Sequence, residues 1–196
     1  MGANLAAAAL TDPVLGAQSI FRGVLDAMAH PGSIVALDDM PPKIDRLAEA
    51  TNGILLTLAD ATTPVWLAPA LATDDTVAQL RFQCGGPPVG QPAKASFAVI
   101  DYERGLGLDR FDGGTPEYPD RSATVIVQVT GFGGKVQATL RGPGIDGSQA
   151  FFVDDMTMRD WRAVQANHER FPLGVDLIFV AGNRIAAIPR STQVEL

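Results

Sequence analysis

The sequence predicts an α/β fold in which helices flank a mixed β-sheet, giving a three-layer arrangement. Helical and strand-like segments are interspersed without strict alternation, which favours a mixed sheet over a purely parallel one. Residues 175–181 form an apolar, β-prone run typical of a strand buried on both faces. Gly182-Asn183 is a two-residue turn of the kind that joins hairpin strands, so residues 185–188 are expected to pair antiparallel with that run.

The length and composition of the chain indicate one globular unit. The chain has 196 residues, of which 46% are hydrophobic and 19% charged, so a substantial core is expected. We predict a single domain over residues 12–196, preceded by a short lead-in over residues 1–11. A net charge of −7 argues against a nucleic-acid partner, and the lack of a run of 18 apolar residues argues against a membrane span. A lone cysteine, Cys84, precludes an internal disulfide and fits a reducing cytoplasm.

The first predicted element is an amphipathic helix. Asp12 is expected to cap it, Pro13 to occupy its first position and Ala29 to lie near its end. Apolar residues recur there at i, i+3, i+4 and i+7, so the residues predicted to face the core are Phe21, Val24, Leu25 and Met28. A short strand is expected within residues 33–37.

The middle of the chain alternates between helical and strand-like patterns. Helices are predicted over residues 45–59 and from a cap at Thr73 to about residue 82. Strands are predicted over residues 65–67 and 96–101, with Asp101 at the carboxyl end of the latter.

The later segments add two strands and a helix. Residues 123–129 are rich in β-branched side chains and form the strongest isolated strand prediction. Residues 136–140 alternate apolar and polar, and we expect them to pair antiparallel with that strand. Thr157 and Asp160 have the spacing of a capping box before a helix that reaches about residue 169.

Motif searches give no chemical signature. The glycine-rich segments 131–134 and 141–147 match neither a phosphate-binding loop nor a dinucleotide fingerprint, and we interpret them as turns. The nucleophile elbow of α/β-hydrolases is absent as well. His30 is expected to lie at a helix C-terminus and His168 on a solvated helix face. Two histidines and one cysteine are too few for the usual zinc sites, so no metal is assigned, while a carboxylate-based magnesium site stays open because such sites leave weak sequence traces.

Charged residues beside apolar runs are the candidate site residues. The possible acid–base groups are Asp60, Asp101, Asp155 and Asp176. Asp60 and Asp176 border apolar runs and would need partners if buried. The candidate partners are Arg22, Arg81 and Arg190, which could instead bind a phosphate-like anion through bidentate contacts. Structural ion pairing and anion binding both remain open.

An ordered set of short strings resembles one family. The strings are Phe21-Arg22 with Pro31-Gly32, Leu56-Thr-Leu-Ala-Asp60, Thr63-Pro-Val-Trp-Leu67, Leu80-Arg-Phe82, Phe97-Ala-Val99, Gly114-Thr-Pro-Glu-Tyr-Pro119, Gly142-Pro-Gly-Ile145, Phe171-Pro-Leu-Gly-Val-Asp176 and Ile188-Pro-Arg-Ser-Thr192. Together they resemble the PhnH family, the H subunits of bacterial carbon–phosphorus lyase. The order holds from about residue 12 to the end of the chain.

The resemblance implies a part in phosphonate catabolism. Proteins of this family belong to a core complex that makes an alkylphosphonate ribose 5-triphosphate from ATP and an alkylphosphonate. It also implies homodimers and a fold similar to that of pyridoxal-phosphate-dependent transferases, without the cofactor. Lys43, Lys94 and Lys135 lie in loop-like or turn contexts rather than at the end of a strand, so no cofactor is expected.

The resemblance assigns no catalytic residue. Arg22, Arg81 and Arg190, with Asp60 and Asp176, are therefore candidate anion or subunit-interface contacts. Two other functions remain open at this point. One is a free-standing small-molecule transferase with its own anion or pyridoxal-phosphate pocket, and the other is a dimeric scaffold that binds no ligand.

Overall fold

A computed structural model describes residues 10–86, 88–102, 105–154 and 156–196. Most of the predicted lead-in, residues 1–9, lies outside the described residues, and so does Asp155, one of the candidate acid–base groups.

Four α-helices and nine strands are assigned within these ranges. The helices are α1 (Pro13–Ala29), α2 (Glu49–Leu58), α3 (Asp74–Cys84) and α4 (Met158–His168). The strands are β1 (Val35–Ala36), β2 (Val65–Leu67), β3 (Phe97–Asp101), β4 (Thr124–Gln128), β5 (Gln137–Arg141), β6 (Gln149–Phe152), β7 (Asp176–Ala181), β8 (Arg184–Ile188) and β9 (Gln193–Glu195). Short 3-10 turns lie at Pro92–Lys94, Leu108–Arg110 and Pro119–Arg121.

The larger sheet is mixed, as predicted. It has six strands in the order β1-β8-β7-β4-β3-β2. β2, β3, β4 and β7 run parallel, whereas β8 pairs antiparallel with both β7 and β1. The hairpin predicted at Gly182-Asn183 is confirmed, with Leu177 opposite Ile188 and Ala181 opposite Arg184.

A second, smaller sheet contains β6, β5 and β9, all antiparallel. The prediction that β5 pairs with β4 was therefore wrong. β5 does bury alternate residues, Ala138 and Leu140, as its sequence pattern requires. Such alternation shows that one face of a strand is buried, but it does not identify the neighbouring strand.

Apolar side chains on the two faces of the larger sheet form two cores. On one face α4 and the smaller sheet pack against the strands, and the largest buried side chains there include Trp161, Leu140, Phe151 and Phe179. On the other face α1, α2 and α3 cover the strands, with Ile20 and Leu55 among the buried residues. The predicted three-layer arrangement of helices around a mixed sheet is confirmed.

Helix α1 begins as predicted but presents a different face to the core. Asp12 accepts hydrogen bonds at 3.0 Å from the backbone N–H groups of Val14 and Leu15. Phe21 and Leu25 of the predicted stripe are 46% and 51% exposed, and the buried positions are Gly16, Ile20, Val24 and Ala27.

The reason for this rotation is the close approach of α2. A Cβ atom on Gly53 of α2 would lie 3.0 Å from the Cδ1 atom of Ile20. Ile20 packs at this contact and is buried, and Phe21 and Leu25 are left on the outer face. Within the ranges given above, no helix combines the length and apolar character that crossing a membrane requires.

Candidate functional site

The carboxyl ends of the parallel strands β2, β3, β4 and β7 lie along one edge of the larger sheet, here called the carboxyl edge. In open α/β sheets, ligands bind in the crevice beyond this edge. Asp101 ends β3 and Gln128 ends β4, and the two residues are directly paired in the sheet. The carboxyl edge therefore carries polar side chains at the position where a binding site is expected.

Gln128 organises this edge through three hydrogen bonds. Its Nε2 group donates to Asp101 Oδ1 at 2.6 Å and to the carbonyl oxygen of Arg46 at 2.9 Å. Its Oε1 atom accepts from the backbone N–H of Ala48 at 2.7 Å. The Gln128 side chain is buried, so these bonds are shielded from water. They attach the segment before α2 to the ends of β3 and β4.

Two cavities open at the carboxyl edge, and Asp101 lines both. The larger, here called the carboxyl-edge cavity, has a volume of about 810 Å3. Its apolar lining includes Ile100 of β3, Leu106 and Leu108 of the following loop, and Ala163 and Ala166 of α4. The smaller cavity has a volume of about 350 Å3. Both volumes fall in the range of small-molecule sites, the larger near its upper end and the smaller near its lower end.

The first turn of α4 forms one wall of the carboxyl-edge cavity and is fixed by the predicted capping box, which is confirmed. Asp160 Oδ2 accepts from the N–H of Thr157 at 2.9 Å and from its hydroxyl at 2.5 Å. The hydroxyl of Tyr102 also donates to this oxygen. Burial raises the pKa of Asp160, but hydrogen bonds from Thr157 and Tyr102 together outweigh burial and hold its pKa below the ordinary value.

The pKa of Tyr102, the partner of Asp160 in this hydrogen bond, is shifted in the opposite direction. Burial and the adjacent carboxylate of Asp160 raise its pKa to about 12. Tyr102 therefore stays protonated at neutral pH and serves as a hydrogen-bond donor. The pair joins the residue that follows β3 to the first turn of α4.

Three arginines line the same cavity: Arg110, Arg159 and Arg170. The guanidinium carbon of Arg110 lies 5.0 Å from the ring centroid of Trp66 and 4.9 Å from that of Phe111. Burial lowers the pKa of Arg110, although nearby Asp109 opposes this effect. None of the three arginines forms a salt bridge with another residue in the described ranges.

Of the five candidate residues from the sequence, the structure brings Asp176 and Arg190 into direct contact. Arg190 Nη2 lies 2.8 Å from Asp176 Oδ2, and its Nε lies 3.2 Å from Oδ1. The Arg190 Nη1 group donates to the carbonyl oxygens of Pro119 and Gly174. The pair lies at the start of β7, opposite the carboxyl edge.

The other three candidates lie apart on the surface. Asp60 follows α2, and its Oδ1 atom accepts bonds of 2.8 Å from Thr62 N–H and from the hydroxyls of Thr62 and Thr63. These bonds lower the pKa of Asp60. Arg22 on α1 and Arg81 on α3 are exposed. Their roles as anion or interface contacts remain predictions.

The structure also places the other side chains considered from the sequence: His30, the lysines and the potential metal ligands. His30 ends α1 as predicted, with Nδ1 3.1 Å from the carbonyl oxygen of Asp26, so it caps the helix. Lys43 lines the smaller cavity, but from a loop and not from the end of a strand. Across the described parts of the chain, no group of three or more His, Cys, Asp or Glu residues has metal-site spacing.

Asp101 was predicted from the sequence as a candidate site residue, whereas the three arginines of the same cavity were not. Arg159, Ala163 and Ala166 are spaced i, i+4 and i+7, which places them along one face of α4, and Arg170 lies in the turn two residues after the helix ends. Small side chains beside an arginine on a helix face, with a second arginine just after the helix, are a signal of an accessible, positively charged surface. That signal is present in the sequence, but its relation to Asp101 depends on the fold.

Comparisons with known proteins agree with one another. The family model described as "Bacterial phosphonate metabolism protein (PhnH)" matches residues 8–195. The alpha-D-ribose 1-methylphosphonate 5-triphosphate synthase subunit PhnH of Rhizobium meliloti (strain 1021) is 36% identical over 193 residues, covering 95% of this chain and 94% of the relative. A protein of Stutzerimonas stutzeri, provisionally named C-P lyase subunit protein HtxG, is 31% identical over 180 residues, covering 91% and 86%.

Proposed function

Because the chain belongs to the PhnH family of bacterial phosphonate metabolism proteins, we propose that it is a subunit of a carbon–phosphorus lyase core complex. That complex would form an alkylphosphonate ribose 5-triphosphate from ATP and an alkylphosphonate. The single observation that carries the proposal is the 36% identity to a named synthase subunit over nearly the whole of both chains.

We propose that this subunit has a structural or co-catalytic role. Neither a phosphate-binding loop nor a nucleophile elbow is present in its sequence, and Arg190 is engaged by the Asp176 carboxylate and by the carbonyl oxygens of Pro119 and Gly174. The three-layer arrangement around a mixed sheet supports the further proposal that the fold is related to pyridoxal-phosphate-dependent transferases that have lost the cofactor. Residues 12–196 would form one structural unit.

The surface that meets another subunit is proposed to be the outer face of α1. Val14, Phe21 and Leu25 are spaced i, i+7 and i+11 and are all at least 46% exposed. A row of exposed apolar side chains on one helix is unusual for a surface that stays in water and typical of one that another protein covers. The proposed partner at this surface is a different lyase subunit, because the relatives are named as subunits of a synthase and of a C-P lyase.

We also propose that the chain forms a homodimer and acts in the cytoplasm. The support for the homodimer is the family resemblance, and no surface is assigned to it. The support for the compartment is the lone Cys84, a buried thiol whose burial raises its pKa to about 11. Size-exclusion chromatography with light scattering tests the dimer, and a monomer at micromolar concentration would contradict it.

Reconstitution tests the proposed function. The chain is co-expressed with the other core subunits of its organism, each complex is purified through a tag on a different subunit, and synthesis of the ribose triphosphate product is measured. We expect this chain to co-purify in a fixed ratio and its omission to abolish or strongly reduce synthesis. A free-standing transferase would act alone, and a scaffold without partners would not co-purify.

A further inference from the structure

We propose that the carboxyl-edge cavity binds a small organic phosphate or phosphonate that also carries an amino or hydroxyl group. The guanidinium groups of Arg110, Arg159 and Arg170 would hold the anionic group, and Asp101 would accept a hydrogen bond from the amino or hydroxyl group. This inference deepens the proposed function by assigning a ligand to this chain, and it rests on that function for the choice of probes.

The position of the cavity in the fold favours ligand binding. It lies beyond the carboxyl ends of the parallel strands, where α/β sheets bind ligands, and Ile100 and Asp101 of β3 form part of its wall. Its volume of about 810 Å3 falls in the range of small-molecule sites. The apolar part of an organic ligand would contact Ile100, Leu106 and Leu108.

The three arginines that line the cavity are available to bind an anion. In the described ranges, Arg110, Arg159 and Arg170 have no carboxylate partner within salt-bridge distance, in contrast to Arg190. The ring of Trp66 packs against Arg110 but leaves its N–H donors free of acidic partners. Guanidinium groups bind phosphate and phosphonate oxygens in a bidentate manner, which an ammonium cannot do.

Three carboxylates also line the cavity, those of Asp101, Asp109 and Asp160, and a carboxylate repels an anion. Asp160 is 3% exposed, and its Oδ2 atom receives three hydrogen bonds, from the N–H and hydroxyl of Thr157 and from Tyr102, which disperse its charge within the protein. Asp109 lies in the same short turn as Arg110.

Asp101 differs from these two. Its Oδ1 atom accepts a bond from Gln128, and the residue is only partly buried at the junction of the two cavities. A ligand with an anionic end and a donor end would match the arginines and Asp101 together, whereas a simple dianion would meet Asp101 unfavourably. This charge pattern is why an amino or hydroxyl group is included in the proposed ligand.

The glycines of the loop leave room at the mouth of the cavity. Gly105 and Gly107 line it and have φ angles of +96° and +52°, which other residues rarely adopt. A Cβ atom on Gly105 would lie 3.3 Å from Asp160 Oδ1. The loop can therefore pass close to the capped end of α4 without filling the space that the arginines face.

Isothermal titration calorimetry on the full chain tests the proposal with three matched probes: 2-aminoethylphosphonate, O-phosphoethanolamine and ethylphosphonate. The first two share the proposed chemistry and differ in the C–P or C–O–P link, so they distinguish a phosphonate ligand from a phosphate ester. Ethylphosphonate lacks the amino group. We expect saturable binding of at least one amino-bearing probe and at least tenfold weaker binding of ethylphosphonate.

Substitutions of the cavity arginines test whether the probe binds in the carboxyl-edge cavity. Arg159→Gln and Arg170→Gln are expected to weaken binding of the amino-bearing probe at least about tenfold each, because each removes a charged hydrogen-bond donor. Arg162→Gln is the matched control, because Arg162 lies on α4 with Arg159 but outside the cavity lining. It should leave binding unchanged. All three positions are exposed, so the variants should fold, which circular dichroism checks.

Asp101→Asn tests the other end of the ligand. It should weaken the amino-bearing probe but leave ethylphosphonate binding unchanged or tighter, because a repulsive charge is removed. No saturable binding of any probe would overturn the proposal, and so would equal losses in Arg162→Gln and Arg159→Gln. Co-purification with lyase subunits is measured separately, so a chain that assembles but binds no probe would contradict this inference and leave the proposed function standing.

Discussion

The amide of Gln128 donates a hydrogen bond of 2.6 Å to the carboxylate of Asp101, and this contact joins the carboxyl ends of two parallel strands. The same amide holds the backbone of Arg46 and Ala48, so one side chain connects the sheet to the segment before α2. Asp101 is thereby placed between two cavities. Its orientation depends on a residue that has no catalytic chemistry of its own.

Replacing Gln128 with leucine should destabilise the protein. The change keeps a similar volume but leaves the Ala48 N–H and the Arg46 carbonyl without their partner, and a buried unpaired polar group costs about 1–3 kcal/mol. We expect the free energy of unfolding in urea to fall by about 2 kcal/mol or more. Gln137→Leu, on an exposed position of β5, is the control and should change it by less than about 0.5 kcal/mol. Equal effects would contradict the bridging role.

The Asp176–Arg190 pair should be far more important for stability than the exposed Arg141–Glu195 pair. The side chains of the first pair are 14% and 17% exposed, and those of the second are both 46% exposed. Arg190→Ala leaves a largely buried carboxylate without its partner and is expected to cost about 3–5 kcal/mol. Arg141→Ala should cost less than about 1 kcal/mol.

Chemical denaturation of Asp176→Ala, of Arg190→Ala and of the double variant measures the coupling energy between these two side chains. If Arg190→Ala lost no more stability than Arg141→Ala, the pair would not be a structural ion pair, and the anion-contact prediction for Arg190 would gain support. If stability fell but assembly and synthesis were retained in the folded fraction, the structural interpretation would be favoured.

Acid should destabilise the fold partly through Asp160. Because its folded pKa is depressed relative to about 3.9 in the unfolded chain, the unfolded state binds more protons as the pH falls. The stabilising contribution of Asp160 is therefore present above about pH 4 and is lost as the pH falls through the folded pKa. Tyr102→Phe removes one donor to Asp160, so this loss should begin at a higher pH.

Carboxyl-carbon NMR titration measures the Asp160 pKa directly in both proteins, and urea unfolding between pH 3 and 6 measures the stability. Asp146→Asn, in an exposed loop, serves as a control that should leave the Asp160 titration unchanged. An Asp160 pKa that does not rise in Tyr102→Phe would show that the hydrogen bond is not what lowers it.

The outer face of α1 should affect assembly and not folding. Phe21→Ser and Leu25→Ser replace exposed apolar side chains, so the free energy of unfolding should change by less than about 0.5 kcal/mol. Capture of the other core subunits should nevertheless fall at least about tenfold for the double variant, because buried aromatic and aliphatic anchors dominate interface affinity.

Phe82→Ser is the matched control for that surface. Phe82 is 60% exposed but lies on α3, away from the α1 stripe. Unchanged capture by the α1 double variant, measured by pull-down from a co-expressed complex, would show that another surface meets the partner. A loss of homodimer instead of subunit capture would assign the α1 face to a second copy of the chain.

Local signals in the sequence predicted local structure well. Asp12 before Pro13, the Thr157–Asp160 spacing and the Gly182-Asn183 turn each specify hydrogen bonds within a few residues, and all three are present in the structure. These features depend on backbone conformation and on side chains within one turn, so no knowledge of the rest of the fold is required.

Features that depend on packing between distant segments were not predictable in the same way. Phe21 and Leu25 have helix periodicity as good as that of Ile20 and Val24, and only the close approach of α2 at Gly53 decides which face is buried. The carboxyl-edge cavity likewise combines the end of β3, a loop and α4, which are far apart in the chain. Among the candidate charges, only the Asp176–Arg190 pair lies within one hairpin, where its proximity follows from strand pairing.

Reconstitution of the core complex with and without this chain tests the central claim most directly. The measurement is the rate of ribose triphosphate product formation from ATP and methylphosphonate, together with the subunit ratio of the purified assembly. We predict that the complete set of subunits forms a stable complex containing this chain, and that product formation falls to background when the chain is left out. Full synthesis by a complex that lacks the chain would contradict the claim.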